Sequence, residues 1–530
     1  MGDSEQGSIE KSQGQVARRL SRRFQVALVG EGALVGLAAG AVVTLYRLAL
    51  SGAEGLLRSI TAAASGHPLA VAGWFIVLAV LLAVVGRLVR WEPATSGSGI
   101  PQVDAEVAGR YDAPWARVLP AKFAEGTLGA LAGLSLGREG PSVQLGGMSG
   151  KAVSRALGRR RGEERLLVTC GAAAGMSAAF HAPFTGVLFA LEEIHREFTA
   201  PLIISVMCSA VVSDLVVSEA LGIQPVMALA FSADLPHPDY PFVIALGLAC
   251  GVLGALHNRG MFMAQDLFSR VRGHVPEARL ALPFLLAGVA AFAWPQLMCG
   301  GDAILKALLA PSAPALGGVL VLLAGKYVFT AVCFGSGAPG GTLFPLVVMG
   351  GLVGGAFAHV SGLAPAYFAN FVALGVAGLF SGVVRAPVTA VVLVFELTGS
   401  LDALLSVSIV SIVAYVTSSL TRTDAFYEHL LARLLGREGN DAAKAERGRG
   451  KELGTVRVGA GSHLEGMLVR EVPWPDGARL LTIERAGTEL APTGETQLDA
   501  LDELLFIVDA DAAADARLKL RLMGEPRART

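Results

Sequence analysis

Apolar stretches alternate with short polar breaks up to about residue 420, after which the pattern changes. The apolar segments run at roughly 24–50, 70–90, 116–136, 166–194, 202–222, 241–257, 281–298, 316–333, 343–358, 366–398 and 403–420. A bilayer core takes about 20 helical residues to cross, so this pattern predicts an all-α polytopic membrane protein. Several segments fall short of that length, and others carry Gly or Pro near the middle. Helices that end inside a membrane must turn their free backbone groups toward protein or a wet cavity. Function is therefore expected at the breaks. Beyond about Thr455 come short alternating runs, Arg479–Arg485, a turn at Ala486-Gly487, then Thr496 to Val508. Pro473, Pro475, Asp476-Gly477 and Pro492 punctuate them, which reads as a small soluble α+β module.

The breaks repeat. An offset of 204 residues carries Gly137 and Pro141 onto Gly341 and Pro345, and Lys122 onto Lys326. It also carries Gly146 onto Gly350, Gly171 onto Gly375, Ser177 onto Ser381, Pro183 onto Pro387, Thr185 onto Thr389 and Glu192 onto Glu396. A duplicated apolar half interrupted at matched positions is a transporter pattern, and the matched breaks point to the substrate site. The halves span about 25–222 and 240–420.

Composition narrows the class. Charged residues make up 16% of the chain against about 25% in soluble domains. A net charge of -1 offers no footing for nucleic acid. Cys170, Cys208, Cys250, Cys299 and Cys333 sit singly in apolar surroundings and read as small buried hydrophobes; no cofactor is expected. Arg18, Arg19, Arg22 and Arg23 precede the first apolar stretch, which has no clean cleavage site. They favour a cytoplasmic N-terminus, and the basic run from Arg422 to Lys451 puts the C-terminus on the same side. Residues 1–24 are then an N-terminal segment, 25–435 the membrane domain, 436–453 a charged linker and 454–525 the soluble module.

Three breaks carry chemistry: Gly97-Ser98-Gly99-Ile100-Pro101, Gly137-Arg138-Glu139-Gly140-Pro141, and Gly337 through Pro345. Each places Gly ahead of a helical stretch, so several free N–H groups can converge on one point. Helix N-termini bind anions without a full cation, which suits an anion that must also leave. These three signatures, in this order, resemble those of the CLC chloride channel and chloride/proton antiporter family. Lys122, Gly171-Ala172-Ala173-Ala174-Gly175 and the helix from Ala182-Pro183 to Glu193 extend the resemblance over about residues 25–435. It implies a homodimer with a separate pore in each subunit, built from an inverted repeat of broken helices.

The resemblance also implies residue roles. Ser98 is the central-site serine, with Gly99 and Ile100 beside it, and Tyr427 closes the site with its phenol. Taken alone, Tyr427 reads as an interfacial tyrosine. Gly140 and the backbone N–H groups of Thr342 and Leu343 complete the anion-binding set. Arg138 belongs to the same stretch and reads as a counter-charge more than a ligand. The family's usual GxFxP is altered here: Leu343 takes the aromatic position and Phe344 follows it.

Glu139, a carboxylate between Gly-rich turns at a membrane helix start, is the sharpest single candidate. The bland alternative is a dipole-stabilising N-terminal Glu. The resemblance makes it the external gate and proton carrier. Glu192 has a repeat partner, Glu396, and reads as structural; Glu193 faces Leu397 in the repeat, which suits a role performed once. The resemblance makes Glu193 the internal proton-transfer residue; the alternative is a helix-end acid at the interface. Glu192 and His195 also spell Glu-x-x-His, but the second copy needed for a di-metal site reads Glu396-Leu397-Thr398-Gly399. His195, Arg196 and Glu197 read as a solvated helix end.

The soluble module resembles the TrkA-C regulatory type, through Trp474-x-x-Gly477, Ile483-x-Arg485-x-Gly487, Pro492-x-Gly494-x-Thr496 and Leu501-x-x-x-Leu505. It offers a possible small-molecule or ion ligand site or a dimerising cap. The whole sequence reads as a Cl-/H+ antiporter. A voltage- or pH-gated chloride channel and an antiporter for nitrate or fluoride are the alternatives.

Overall fold

The computed structural model describes residues 2–159, 161–196, 198–222, 231, 234–271, 276–310, 312–445, 451–459, 461–485, 488–509 and 513–524. The chain divides into two compact units at Leu435/Gly436.

The first unit is helical throughout. Its first half holds α1 (Gly2–Ala64), α2 (Pro68–Trp91), α3 (Ile100–Val107), α4 (Trp115–Ala132), α5 (Glu139–Ala156), α6 (Arg161–Phe180), α7 (Pro183–Phe189) and α8 (Ala200–Leu221). The second half holds α9 (Tyr240–Ser269), α10 (Pro276–Ala293), α11 (Asp302–Leu308), α12 (Leu316–Gly335), α13 (Leu343–Ser361), α14 (Phe368–Val384), α15 (Pro387–Thr398) and α16 (Leu404–Leu420). Helix α17 (Phe426–Ala445) follows. The offset read in the sequence survives in space: the first residues of α5, α7 and α8 fall on those of α13, α15 and α16. Helix α1 runs through the stretch expected to be a polar N-terminal segment.

Among the described residues nine helices are long and apolar enough to cross a membrane. They differ in what surrounds them. Only 28% of the apolar window of α2 is buried within the protein, against 83% for the window covering α14. Leu69, Ile76 and Val80 on α2 are exposed apolar side chains, as suits a helix on the outside of a membrane bundle. Inner helices approach closely because they are lined with small residues. Gly32, Gly36 and Gly40 on α1 face Ser205, Ser209 and Ser213 on α8; a methyl on Gly36 would lie 2.3 Å from the Ser209 carbonyl oxygen.

The breaks have local causes. Pro183 and Pro387 lack an N–H and push the preceding Ala182 and Ala386 out of helical geometry (φ -145° and -113°). His181 and Arg385, again one offset apart, adopt φ of 59° and 67° to make the turn. The apolar segments 166–194 and 366–398 are thereby each split in two.

The second unit carries a four-stranded antiparallel sheet in the order β1-β4-β2-β3, with β1 (Lys451–Arg457), β2 (Arg479–Arg485), β3 (Thr488–Leu490) and β4 (Glu503–Asp509), and a final helix α18 (Ala513–Gly524). Ile483, Leu504, Phe506 and Leu520 fill its core. Arg485 donates to both oxygens of the fully buried Asp502, at 2.8 and 2.7 Å. These hydrogen bonds hold the Arg485 guanidinium above its ordinary pKa. The expected turn at Ala486-Gly487 lies outside the described residues. Within the stretch expected as a linker, α17 reaches Ala445 and β1 begins at Lys451. Ala, Lys, Glu and Arg are good helix formers and extend α17 past the domain boundary.

Candidate functional site

Three helices begin where the three sequence breaks end. Helix α3 starts after Gly99, which is left-handed at φ 97°, and has Pro101 in its first turn. Helices α5 and α13 start at Glu139 and Leu343, each with Pro two residues on. Proline in a first turn costs nothing, because its N–H would be unpaired there.

Backbone hydrogen bonds tie the breaks to each other. Gly137 N–H donates to the Gly341 carbonyl at 2.6 Å, and Gly341 N–H returns to Gly137 at 2.9 Å. This antiparallel bridge joins two repeat-related residues, as a local two-fold relation between the halves requires. Gly97 N–H donates to the Gly337 carbonyl at 3.1 Å, and Gly340 N–H to the Gly97 carbonyl at 3.0 Å. The first and second breaks are thus both sewn to the third.

Side chains then meet at the seam. A methyl on Gly140 would lie 2.5 Å from Ser98 Oγ and 3.1 Å from Gly341 Cα, so only glycine fits. Ser98 Oγ is buried and has no hydrogen-bond partner among the described residues. Its loop is fixed from below: Lys122 Nζ donates to the carbonyls of Thr95 and Gly97, both at 2.7 Å, and Thr95 Oγ1 donates to Glu125 at 2.9 Å. Ile100, Thr342 and Leu343 are buried.

Glu139 has no solvent exposure. Arg138 Nε is 3.8 Å from its carboxylate, and the Arg138 guanidinium carbon lies 5.8 Å from the centre of the Phe344 ring. Arg138 is a neighbouring counter-charge that also rests on an aromatic face. Phe344, displaced by one from the family's usual position, stacks on Phe180 at 6.2 Å. Glu139, Arg138 and Phe344 line one chamber with Tyr46, Glu54 and Asp302. Ser98 and Tyr427 are not among the residues lining it.

Tyr427, near the start of α17, is buried and meets Phe189 edge-on at 6.1 Å. Phe189 ends α7, and the next turn, Ala190–His195, is a π-helix carrying Glu192 and Glu193. Glu193 is 7% exposed. Arg196 Nη2 stands 3.9 Å from it and 3.3 Å from Asp104 on α3. Glu192 points elsewhere: it accepts from Val388 N–H at 3.2 Å and from the N–H and hydroxyl of Thr389 at 2.8 and 2.7 Å. His195 Nδ1 lies 2.9 Å from Thr169 Oγ1, so both members of Glu-x-x-His are hydrogen-bonded within the protein.

The family model for the voltage gated chloride channel matches residues 80–419, and that for the TrkA-C domain matches 453–521. The H(+)/Cl(-) exchange transporter ClcA of Klebsiella pneumoniae is 32% identical over 455 residues, covering 83% of this chain and 96% of the relative. The chain belongs to the CLC family.

Two solved CLC structures resemble it. A slow cyanobacterial Cl-/H+ antiporter superposes with a TM-score of 0.74 at 28% identity, covering 78% of this chain and 99% of that one. A CLC-type fluoride/proton antiporter gives 0.62 at 24% identity, covering 76% and 97%; that likeness shows the fold alone. The protein is accordingly a multi-pass CLC anion transport protein with a TrkA-C domain, and not an enzyme.

Within this CLC site, sequence reasoning missed three things. Arg196 is no plain solvated helix end, because it bridges Glu193 and Asp104. Asp104 was hidden inside α3, where nothing in its spacing marks it. Lys122 was visible only as a repeat match, although its buried ammonium clamps the Ser98 loop. Glu197 lies outside the described residues.

Proposed function

We propose that the protein exchanges chloride for protons across the cell membrane, with Glu139 as external gate and proton carrier and Glu193 as internal proton-transfer residue. One arrangement carries this reading. Glu139 is wholly buried at the start of α5, next to the Gly140–Ser98 contact, while Glu193 lies beyond Tyr427 on a different helix. Ionised, Glu139 competes with the anion for the converging N–H groups; protonated, it releases them. A single carboxylate thereby links anion and proton occupancy. Ser98 and Tyr427 offer hydroxyl donors, with backbone N–H groups at Gly99, Ile100, Gly140, Thr342 and Leu343 and a positive field from Arg138. That donor set favours chloride, and the named relatives that exchange chloride support it. The reading also holds that the protein is a homodimer with cytoplasmic termini, a membrane domain at 25–435 and a regulatory module at 454–525.

The test is reconstitution in liposomes. An imposed chloride gradient should drive protons uphill, Glu139→Gln should abolish that movement while chloride still flows, and Glu193→Gln should do the same. Wild-type vesicles that pass chloride with no proton movement would replace the antiporter with a channel.

A further inference from the structure

The offset that relates the halves carries Ser98 onto Asp302. The two residues are presented alike. Lys122 holds the Ser98 loop through the carbonyls of Thr95 and Gly97. Lys326 holds the Asp302 loop through the carbonyls of Leu297, at 3.1 Å, and Cys299, at 2.7 Å. Gly97 and Gly301, each preceding its residue, are both left-handed, at φ 71° and 104°. The surroundings differ. Ser98 abuts Gly140, and Asp302 lines the chamber shared with Glu139 and Arg138. Asp302 is half-buried and so reaches both solvent and the chamber in which Glu139 is sealed.

The chemistry at the two equivalent positions is opposite. A hydroxyl donates to an anion. A carboxylate repels one, but it takes up and releases protons. The other charged or titratable groups lining the chamber are Tyr46 and Glu54 from α1, Arg138 ahead of α5, and Cys299, while Lys326 from α12 is buried beneath the Asp302 loop beside Gly301. Glu54 is engaged by Arg58 at 3.3 Å, whereas Asp302 makes no ion pair among the described residues. Arg138 stands 3.8 Å from the Glu139 carboxylate itself.

We infer that Asp302 is a proton-transfer residue of the outer chamber, passing protons between solvent and Glu139. The O–H bond of the Asp302 carboxyl breaks, the proton crosses chamber water, and an O–H bond forms on the Glu139 carboxylate; the return path reverses it. No redox change is involved. The inference rests on the antiport reading, in which Glu139 carries the proton.

The experiment uses the full-length protein in liposomes, with chamber-side pH varied from acid to alkaline. Asp302→Asn should slow coupled exchange at least about tenfold at alkaline chamber-side pH, where solvent protons are scarce, and have little effect at acid pH. The chloride-to-proton ratio should stay fixed, and Asp302→Glu should restore the rate. A second comparison separates proton delivery from anion repulsion. In the uncoupled Glu139→Gln background, adding Asp302→Asn should leave chloride flux unchanged, which also reports a folded protein. A faster chloride flux there would make Asp302 an electrostatic filter and overturn the inference. So would full coupled speed in Asp302→Asn at alkaline pH. Wild-type vesicles without proton coupling would instead remove the antiport reading, and this inference with it.

Discussion

Glu192 and Glu396 cap each other's half of the molecule. Glu192 accepts from the N–H groups of Val388 and Thr389 at the start of α15. Glu396 accepts from Phe184 at 2.9 Å and Thr185 at 2.7 Å at the start of α7. Each also takes the threonine hydroxyl, at 2.7 and 2.6 Å. Four orphan N–H groups created by Pro183 and Pro387 are thereby satisfied across the repeat.

This reciprocity makes a stability prediction. Glu192→Ala and Glu396→Ala should each destabilise the purified protein by about 2 kcal/mol, the scale of hydrogen bonds to a charged group. Glu192→Gln should keep proton coupling close to wild type. Thermal melts and paired chloride and proton fluxes decide it. Loss of coupling in Glu192→Gln equal to that in Glu193→Gln would show that the cap also conducts protons.

The Ser98–Gly140 contact sets selectivity. Ser98→Pro removes one hydroxyl donor and should shift preference from chloride toward nitrate in flux measurements. Gly140→Ala puts a methyl 2.5 Å from Ser98 Oγ and forces the two breaks apart. A misplacement of that size costs roughly a hundredfold in aligned sites, so chloride flux should fall by a similar factor. An unchanged chloride-to-nitrate ratio in Ser98→Pro would take Ser98 out of the site.

Lys151 predicts a pH-dependent stability. Its buried ammonium donates to Glu106 and Asp112, both at 2.5 Å, and to the Ala113 carbonyl at 2.8 Å. The hydrogen bond from Lys151 holds the Asp112 carboxyl below its ordinary pKa. A depressed folded value stabilises above the unfolded value and is lost as pH falls through the lowered one. The Asp112 contribution should therefore be lost as pH drops below ~4, while Glu106, held above its ordinary pKa by burial, acts in the opposite sense. Lys151→Met should cost about 3–5 kcal/mol at neutral pH by stranding buried charge, and its loss of stability in acid should be shallower. Parallel acid titrations of thermal stability give the comparison.

Truncation after Ala445 removes the sheet and α18 but none of the proposed anion donors, since Tyr427 precedes the cut. Chloride flux should persist. Loss of a folded species in detergent would show that the tail is needed for assembly.

How much of this was legible depended on what each residue touches. The duplication and the three breaks were visible because Gly and Pro act on their own backbone. Glu192 and Glu396 were recognisable as equivalents, yet nothing in the offset says that each reaches into the other half. Asp104 and Arg196 meet across 92 residues, and no local pattern encodes that contact. Phe344 looked like a displaced aromatic; its place against Arg138 and Phe180 depended on how α6 and α13 pack.

The Asp104–Arg196–Glu193 contact yields the last prediction. Glu193 is nearly sealed from solvent, and a buried carboxylate needs a partner. Arg196 supplies one guanidinium between two carboxylates, and its Nε also donates to the Glu193 carbonyl at 3.1 Å, fixing the end of the π-helical turn. Asp104 sits on α3, the helix whose start presents Ser98. Removing Arg196 therefore loosens Glu193 while leaving the anion donors in place. Arg196→Gln should slow coupled exchange by about tenfold, in line with a loss of proton-transfer geometry, yet leave passive chloride flux through a Glu139→Ala background unchanged. Arg196→Lys should recover only part of the rate, because an ammonium is a point charge and cannot fork between two acids. Equal slowing of passive chloride flux would mean that Arg196 supports the pore through α3. Unchanged coupling in Arg196→Gln would reduce it to a helix stop.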